Sequence, residues 1–149
     1  MNSIYQDIDS ALAGLLEGES DWICNLSNTA AVLWMYLPEI NWAGFYLRQG
    51  DELVLGPFQG KPACTRIPIG RGVCGTAAAE LEPQLVADVH AFEGHIACDA
   101  ASESEVVIPM IKDGELIGVL DVDAPVKSRF SQEDVVGLQA VVERLLANA

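Results

Sequence analysis

Apolar residues recur at helical spacing over the first 37 positions, change to short alternating runs, and return to helical spacing near the C-terminus. From Ser3 to Glu17, Ile4, Ile8, Leu12, Leu15 and Leu16 mark one helical face, and Gly18 ends it. From about Asp21 to Leu37, Ile23, Leu26, Ala30 and Leu33 mark a second helix, stopped by Pro38. Strands are expected at Asn41–Arg48 and Glu52–Phe58, joined by a turn at Gln49-Gly50-Asp51, and at Cys64–Ile69. Gly70, Gly72 and Gly75 mark tight backbone around Cys74, followed by a short helix at Thr76–Glu80 and a brief apolar segment at Gln84–Val89. Glu105–Lys112 and Glu115–Asp123 form a hairpin about Asp113-Gly114. Ser131 caps a final helix whose stripe is Val135, Leu138, Val142 and Leu145.

This order predicts an α+β domain: an antiparallel sheet with helices packed mainly on one face. A single domain over residues 1–149 is expected, with helices in 1–37, the sheet and its loops in 41–123, and a helix over 131–147. The stretch His90–Ser104 reads as a long loop with at most a helical turn. Function is expected there, because a rigid sheet can carry a variable loop.

Composition narrows the partners. The net charge of −14 argues against nucleic acid and anionic membrane surfaces, which are bound through Lys and Arg. No apolar run reaches the ~20 residues of a membrane span. Asp7 and Asp9 stand near the N-terminus without a basic lead, so no secretion signal is expected and the cytoplasm is the expected location. In a reducing compartment the four cysteines read as catalytic, redox-active or metal-binding sooner than as a structural framework.

Cys98 lies in the small-residue run Gly94-His95-Ile96-Ala97-Cys98-Asp99-Ala100-Ala101-Ser102, which leaves room beside sulfur for a ligand. A buried inert thiol is the alternative. Cys64 and Cys74 flank the same region. A thiolate that takes oxygen from a sulfoxide becomes a sulfenic acid, and a second thiol can condense with it. A zinc site using His90, His95 and Cys98 is a weaker alternative, since no short C-x-x-C pair is present; no metal is expected. Cys24 reads as a small hydrophobe of the second helix.

Alternation puts Asp121 and Asp123 on one strand face behind Ile117 and Val119, and the hairpin brings Glu105 near both. Desolvated there, carboxyls would have raised pKa values and could donate a proton. Solvated strand ends are the alternative. Trp42, Gly44 and Tyr46 share a strand face. They read either as core or as the wall of an apolar pocket with a Tyr46 hydroxyl.

Asn41-Trp42-Ala43-Gly44-Phe45-Tyr46, Gly56-Pro57-Phe58-Gln59-Gly60, Ile67–Thr76, Asp88-Val89-His90, Cys98-Asp99 and Gly118–Asp123 together resemble the GAF-domain free methionine-(R)-sulfoxide reductases over nearly the whole chain. The resemblance implies a six-stranded antiparallel sheet and a homodimer. It implies Cys98 as nucleophile, Cys64 as the resolving thiol that forms a disulfide with it, and Cys74 as a third cysteine of open role. It implies Trp42 as the wall for the substrate methyl, and Glu105, Asp121 and Asp123 as the carboxylates that hold the ammonium and assist the sulfoxide oxygen. Thioredoxin is implied as external reductant, with no bound cofactor. The competing reading is a non-catalytic GAF module that senses a small ligand.

Overall fold

The computed structural model describes residues 2–95 and 101–149. Helix α1 spans Ser3–Leu16, and the Asn2 side chain accepts from the Tyr5 N–H at its start. Tyr5, Ile8, Leu12 and Leu16 form its buried row, and Leu15 is exposed. Helix α2 spans Trp22–Tyr36, and its cap Asp21 accepts from the Cys24 N–H. Its buried row is built on Leu26, Ala30 and Leu33, joined by Asn25, Thr29 and Val32. Two expectations fail in its first turn. Ile23 is exposed because Trp22 packs against the core there instead, and Cys24 faces solvent rather than the core.

The six strands are β1 (Trp42–Gln49), β2 (Glu52–Gly60), β3 (Arg66–Pro68), β4 (Gln84–Val86), β5 (Ser104–Lys112) and β6 (Glu115–Ala124). They form one antiparallel sheet in the order β3-β2-β1-β6-β5-β4. Asp113 and Gly114 both have positive φ, as a primed two-residue hairpin turn requires. Strand β3 is shorter than the expected Cys64–Ile69. Arg66, Ile67 and Pro68 pair in register with β2, the Thr65 carbonyl accepts from the Leu55 N–H, and the Cys64 carbonyl accepts from the Tyr46 hydroxyl instead.

Helix α3 (Gly72–Glu80) begins four residues before the expected Thr76. Gly75, which reads as loop in the sequence, sits inside this helix for a packing reason. A Cβ there would lie 2.6 Å from the Pro68 carbonyl oxygen, so only glycine lets the helix approach β3 this closely. A 3-10 turn at Val89–Ala91 lies at the start of the His90–Ser104 stretch, where at most a helical turn is expected.

Helix α4 (Gln132–Ala147) starts with a reciprocal capping box between Ser131 and Asp134. All four of its expected stripe residues are buried. Helices α1, α2 and α4 cover one sheet face, packing on Ala43, Phe45, Val106, Ile108, Met110, Leu120 and Val122. Helix α3 covers part of the other face, against Trp42, Tyr46, Ile67, Val107 and Val119. A bulge opposes Met110 to Gly118 but Ile111 to Leu116, leaving Ile117 unpaired. Ile117 therefore packs toward the three-helix layer, and not on the face of Val119 and Asp121 where plain alternation puts it. Among the described residues no helix is long and apolar enough to cross a membrane.

Candidate active site

Strand register assembles the site. Trp42 on β1 stands opposite Asp123 on β6, which stands opposite Glu105 on β5. Two pairs further along, on the same face, Gly44 stands opposite Asp121. A Cβ on Gly44 would meet the Phe58 Cβ at 2.3 Å, so the strand carries no side chain beside Asp121 on β1. The Trp42 ring is stacked between Tyr46 and Phe58, with centroids 5.9 and 5.2 Å away, and its Nε1 donates to the Lys61 carbonyl at 3.1 Å. These contacts hold the indole as a fixed wall.

Between β1, β5, β6 and α3 lies a cleft. Trp42, Tyr46, Ala63 and Ile67 form one side, the start of α3 from Arg71 to Cys74 another, and Glu105, Asp121 and Asp123 its acidic floor. His95 and Ser102 stand at its border. Cys98 lies outside the described residues. Cys64 is disulfide-bonded, whereas Cys24 and Cys74 are free thiols. The Tyr46 ring lines the cleft as expected. Its hydroxyl is not free for a ligand, however, because it donates to the Cys64 carbonyl at 2.9 Å.

The cleft face buries charge-bearing groups that sheets normally exclude. Glu105, Asp121 and Asp123 are 8%, 5% and 8% exposed. Burial pushes the Asp121 carboxyl well up, and the neighbouring Asp123 and Glu105 charges push it further. One Asp121 oxygen, Oδ1, has no hydrogen-bond partner among the described residues. The Cys74 thiol is also pushed well up, by burial first and then by Asp121, Glu105 and Asp123. It donates to Glu105 Oε2 at 3.8 Å. Held as a neutral thiol, Cys74 is a poor nucleophile. The Tyr46 hydroxyl is raised for the same reasons, burial leading.

Two groups of metal-ligand residue types occur among the described residues: Cys74, Glu105 and Asp121 inside the cleft, and Asp88, His90 and Glu103 outside it. In the second group His90 Nε2 is 2.8 Å from Glu103 Oε2, and the His95 ring stands edge-on to His90. The cleft also contains groups the sequence reading missed, above all the amides at the start of α3. This helix has no side-chain cap, and its positive end opens on the acidic floor. The Gly70-Arg71-Gly72 run before Val73 is the signal that marks this helix start.

A family model described as "GAF domain" matches residues 20–147. The free methionine-R-sulfoxide reductase of Escherichia coli is 54% identical over 95% of this chain and 86% of its own length. The chain belongs to the GAF-domain free methionine-R-sulfoxide reductase family. Solved structures of the family superpose closely. The fRMsr of Staphylococcus aureus in complex with substrate has a TM-score of 0.93 at 52% identity, covering 97% of this chain and 94% of that one. The free methionine-R-sulfoxide reductase of Neisseria meningitidis, also in complex with its substrate, has a TM-score of 0.94 at 43% identity, covering 99% and 90%. The six-stranded sheet expected from the family resemblance is thus the observed fold.

Proposed function

We propose that this protein reduces free methionine-(R)-sulfoxide to methionine by a two-thiol relay. The observation that carries the reading is the pairing, within one cleft, of a fixed Trp42 wall with three buried carboxylates. A free amino acid sulfoxide brings an ammonium, a carboxylate, an apolar methyl and a polar S–O group. Asp121, Glu105 and Asp123 suit the ammonium, and the Trp42 face suits the methyl. The uncapped start of α3 suits the carboxylate.

Chemically, the Cys98 thiolate attacks the sulfoxide sulfur. The transient S–S bond and the sulfoxide S–O bond then break as the oxygen passes to the Cys98 sulfur, so the sulfoxide is reduced to a thioether and the thiol is oxidised by two electrons to a sulfenic acid. Glu105 and Asp123 supply the proton to the departing oxygen, beside an Asp121 carboxyl whose hold on its own proton is raised by burial and by these two neighbours. The Cys64 thiol then attacks the sulfenic sulfur, water leaves, and a disulfide forms. The disulfide at Cys64, with Cys24 and Cys74 free, supports this pairing. Cys74 serves as a neutral hydrogen-bond donor to Glu105. The thioredoxin dithiol resets the pair by exchange, so the cycle needs no bound cofactor. A homodimer in a reducing, cytoplasmic compartment completes the reading.

The deciding experiment is turnover of separated sulfoxide diastereomers with a thioredoxin recycling system. Free (R)-sulfoxide should be reduced and the (S) form left. Cys98→Ser should abolish turnover. Cys64→Ser should allow one equivalent of methionine and then accumulate a trappable sulfenic acid. Absence of turnover of the (R) form in the wild type refutes the reading.

A further inference from the structure

We infer that the cleft is also a binding site for a soft divalent cation, held by Cys74, Glu105 and Asp121. Their donor atoms lie within 4.8 Å of one another, and all three residues are buried. Cys74 Sγ and Glu105 Oε2 are already 3.8 Å apart. Around a tetrahedral zinc ion, with about 2.3 Å to sulfur and about 2.0 Å to oxygen, neighbouring donors stand roughly 3.5 Å apart. Small side-chain shifts suffice to close that gap. The second observation is the orphaned Asp121 Oδ1, a buried acceptor at the cleft floor that no group among the described residues satisfies. A cation supplies what it lacks.

The chemistry of the set selects the ion. One thiolate with two carboxylates favours zinc or cadmium over magnesium or calcium, which take oxygen ligands alone. Binding replaces the Cys74 S–H bond by an S–metal bond, and the proton leaves to solvent. Asp121 and Glu105 are also two of the groups assigned above to the substrate ammonium. If that reading holds, cation and substrate exclude one another, and thiophilic metals inhibit the enzyme at this cleft.

Cadmium reports its own coordination through an ultraviolet thiolate-to-metal charge-transfer band. The protein to use is disulfide-form Cys24→Ser, which removes the exposed competing thiol. Cd²⁺ should raise the band with one-to-one saturation, and Mg²⁺ should not. Adding Cys74→Ser should eliminate the band, with circular dichroism confirming the fold. Asp121→Asn should keep the band but shift saturation to roughly tenfold or more higher Cd²⁺, as loss of a ligating or supporting group does. No band at millimolar Cd²⁺, or a band undiminished in Cys74→Ser, overturns the site. Free methionine sulfoxide should move the Cys24→Ser titration to higher Cd²⁺. A titration unmoved by it overturns the shared use of Asp121 and Glu105 without touching metal binding, which is read with no substrate present.

Discussion

On β6, Leu120 and Val122 point into the three-helix layer, while Val119, Asp121 and Asp123 point toward α3 and the cleft. On β5, Val106 and Ile108 point one way, and Glu105 and Val107 the other. Two environments are thus separated by the thickness of a single strand. The helical side is closed by interdigitated aliphatic and aromatic side chains, and stability there follows from apolar burial. The cleft side buries carboxyls beside one another and beside a thiol, with one oxygen left without a partner among the described residues. No folding advantage comes from that arrangement, since a buried acidic group unmatched by a cation costs stability. What it offers is a preformed place for a cationic ligand. The difference between the faces marks where the sheet accepts a cost in stability.

The largest test of this contrast transfers a carboxylate from one face to the other. Val122→Asp adds a carboxyl to a fully buried position among Ala43, Val106 and the helices. The expected cost exceeds about 4 kcal/mol, a large share of the roughly 5–15 kcal/mol that holds a domain of this kind folded. Circular dichroism should show loss of cooperative thermal unfolding at 25 °C or a midpoint lowered by well over 10 °C. A variant that melts near the wild type would show that the helical face accepts charge as readily as the cleft face, and the contrast would collapse.

The intermediate test removes a carboxylate from the cleft. The Asp121 pKa is raised in the folded state by burial and by Asp123 and Glu105. The folded protein therefore holds this proton more tightly than the unfolded chain does. Its contribution to stability is complete below the unfolded carboxyl range, near pH 4, and is lost as pH rises toward the higher folded value. Asp121→Asn abolishes that loss. Melting at pH 7.5 should occur a few degrees above wild type, at roughly 2–4 °C per kcal/mol relieved for a domain of this size. The advantage should shrink to nothing near pH 4. In the same variant kcat/KM for free methionine sulfoxide should fall by at least about tenfold, because an ammonium contact is lost. Equal or lower stability at pH 7.5 would mean that the acidic floor is not under strain.

Much of this contrast could be read in the sequence. Period-2 alternation put Asp121 with Asp123, the Asp113-Gly114 turn fixed the pairing with Glu105, and the helical stripe of α4 was complete. What could not be read depended on contacts between distant segments. The bulge that turns Ile117 to the helical side is set by local pairing between β5 and β6, and no pattern of residue types marks it. The start of α3 was hidden because Gly72 and Gly75 signal loop locally. Gly75 is instead required by the approach of the Pro68 carbonyl, which is a tertiary fact. Cys24 and Ile23 looked buried because periodicity tells which side of a helix faces inward, but not how far along its length the core extends. The Tyr46 hydroxyl looked available because its partner, a backbone carbonyl 18 residues away, leaves no trace in residue type.

That hydroxyl gives the smallest and most discriminating test. Tyr46 belongs to the cleft face through its ring and to the Cys64 segment through its hydrogen bond, so it links the Trp42 wall to the Cys64 segment. Tyr46→Phe keeps the ring and its stacking on Trp42 but leaves the Cys64 carbonyl without this donor. The stability cost should be about 1 kcal/mol, the usual worth of one such bond. If the bond positions Cys64, the first half-reaction should proceed at nearly the wild-type rate in single turnover. Disulfide closure should slow severalfold, so that the sulfenic acid lives long enough to be trapped by a dione reagent. A structural role alone would lower the melting temperature without separating the two rates. If both half-reactions slow together, the hydroxyl acts on the cleft as a whole, and the acidic floor and the thiol segment must be regarded as one unit instead of two joined by a single bond.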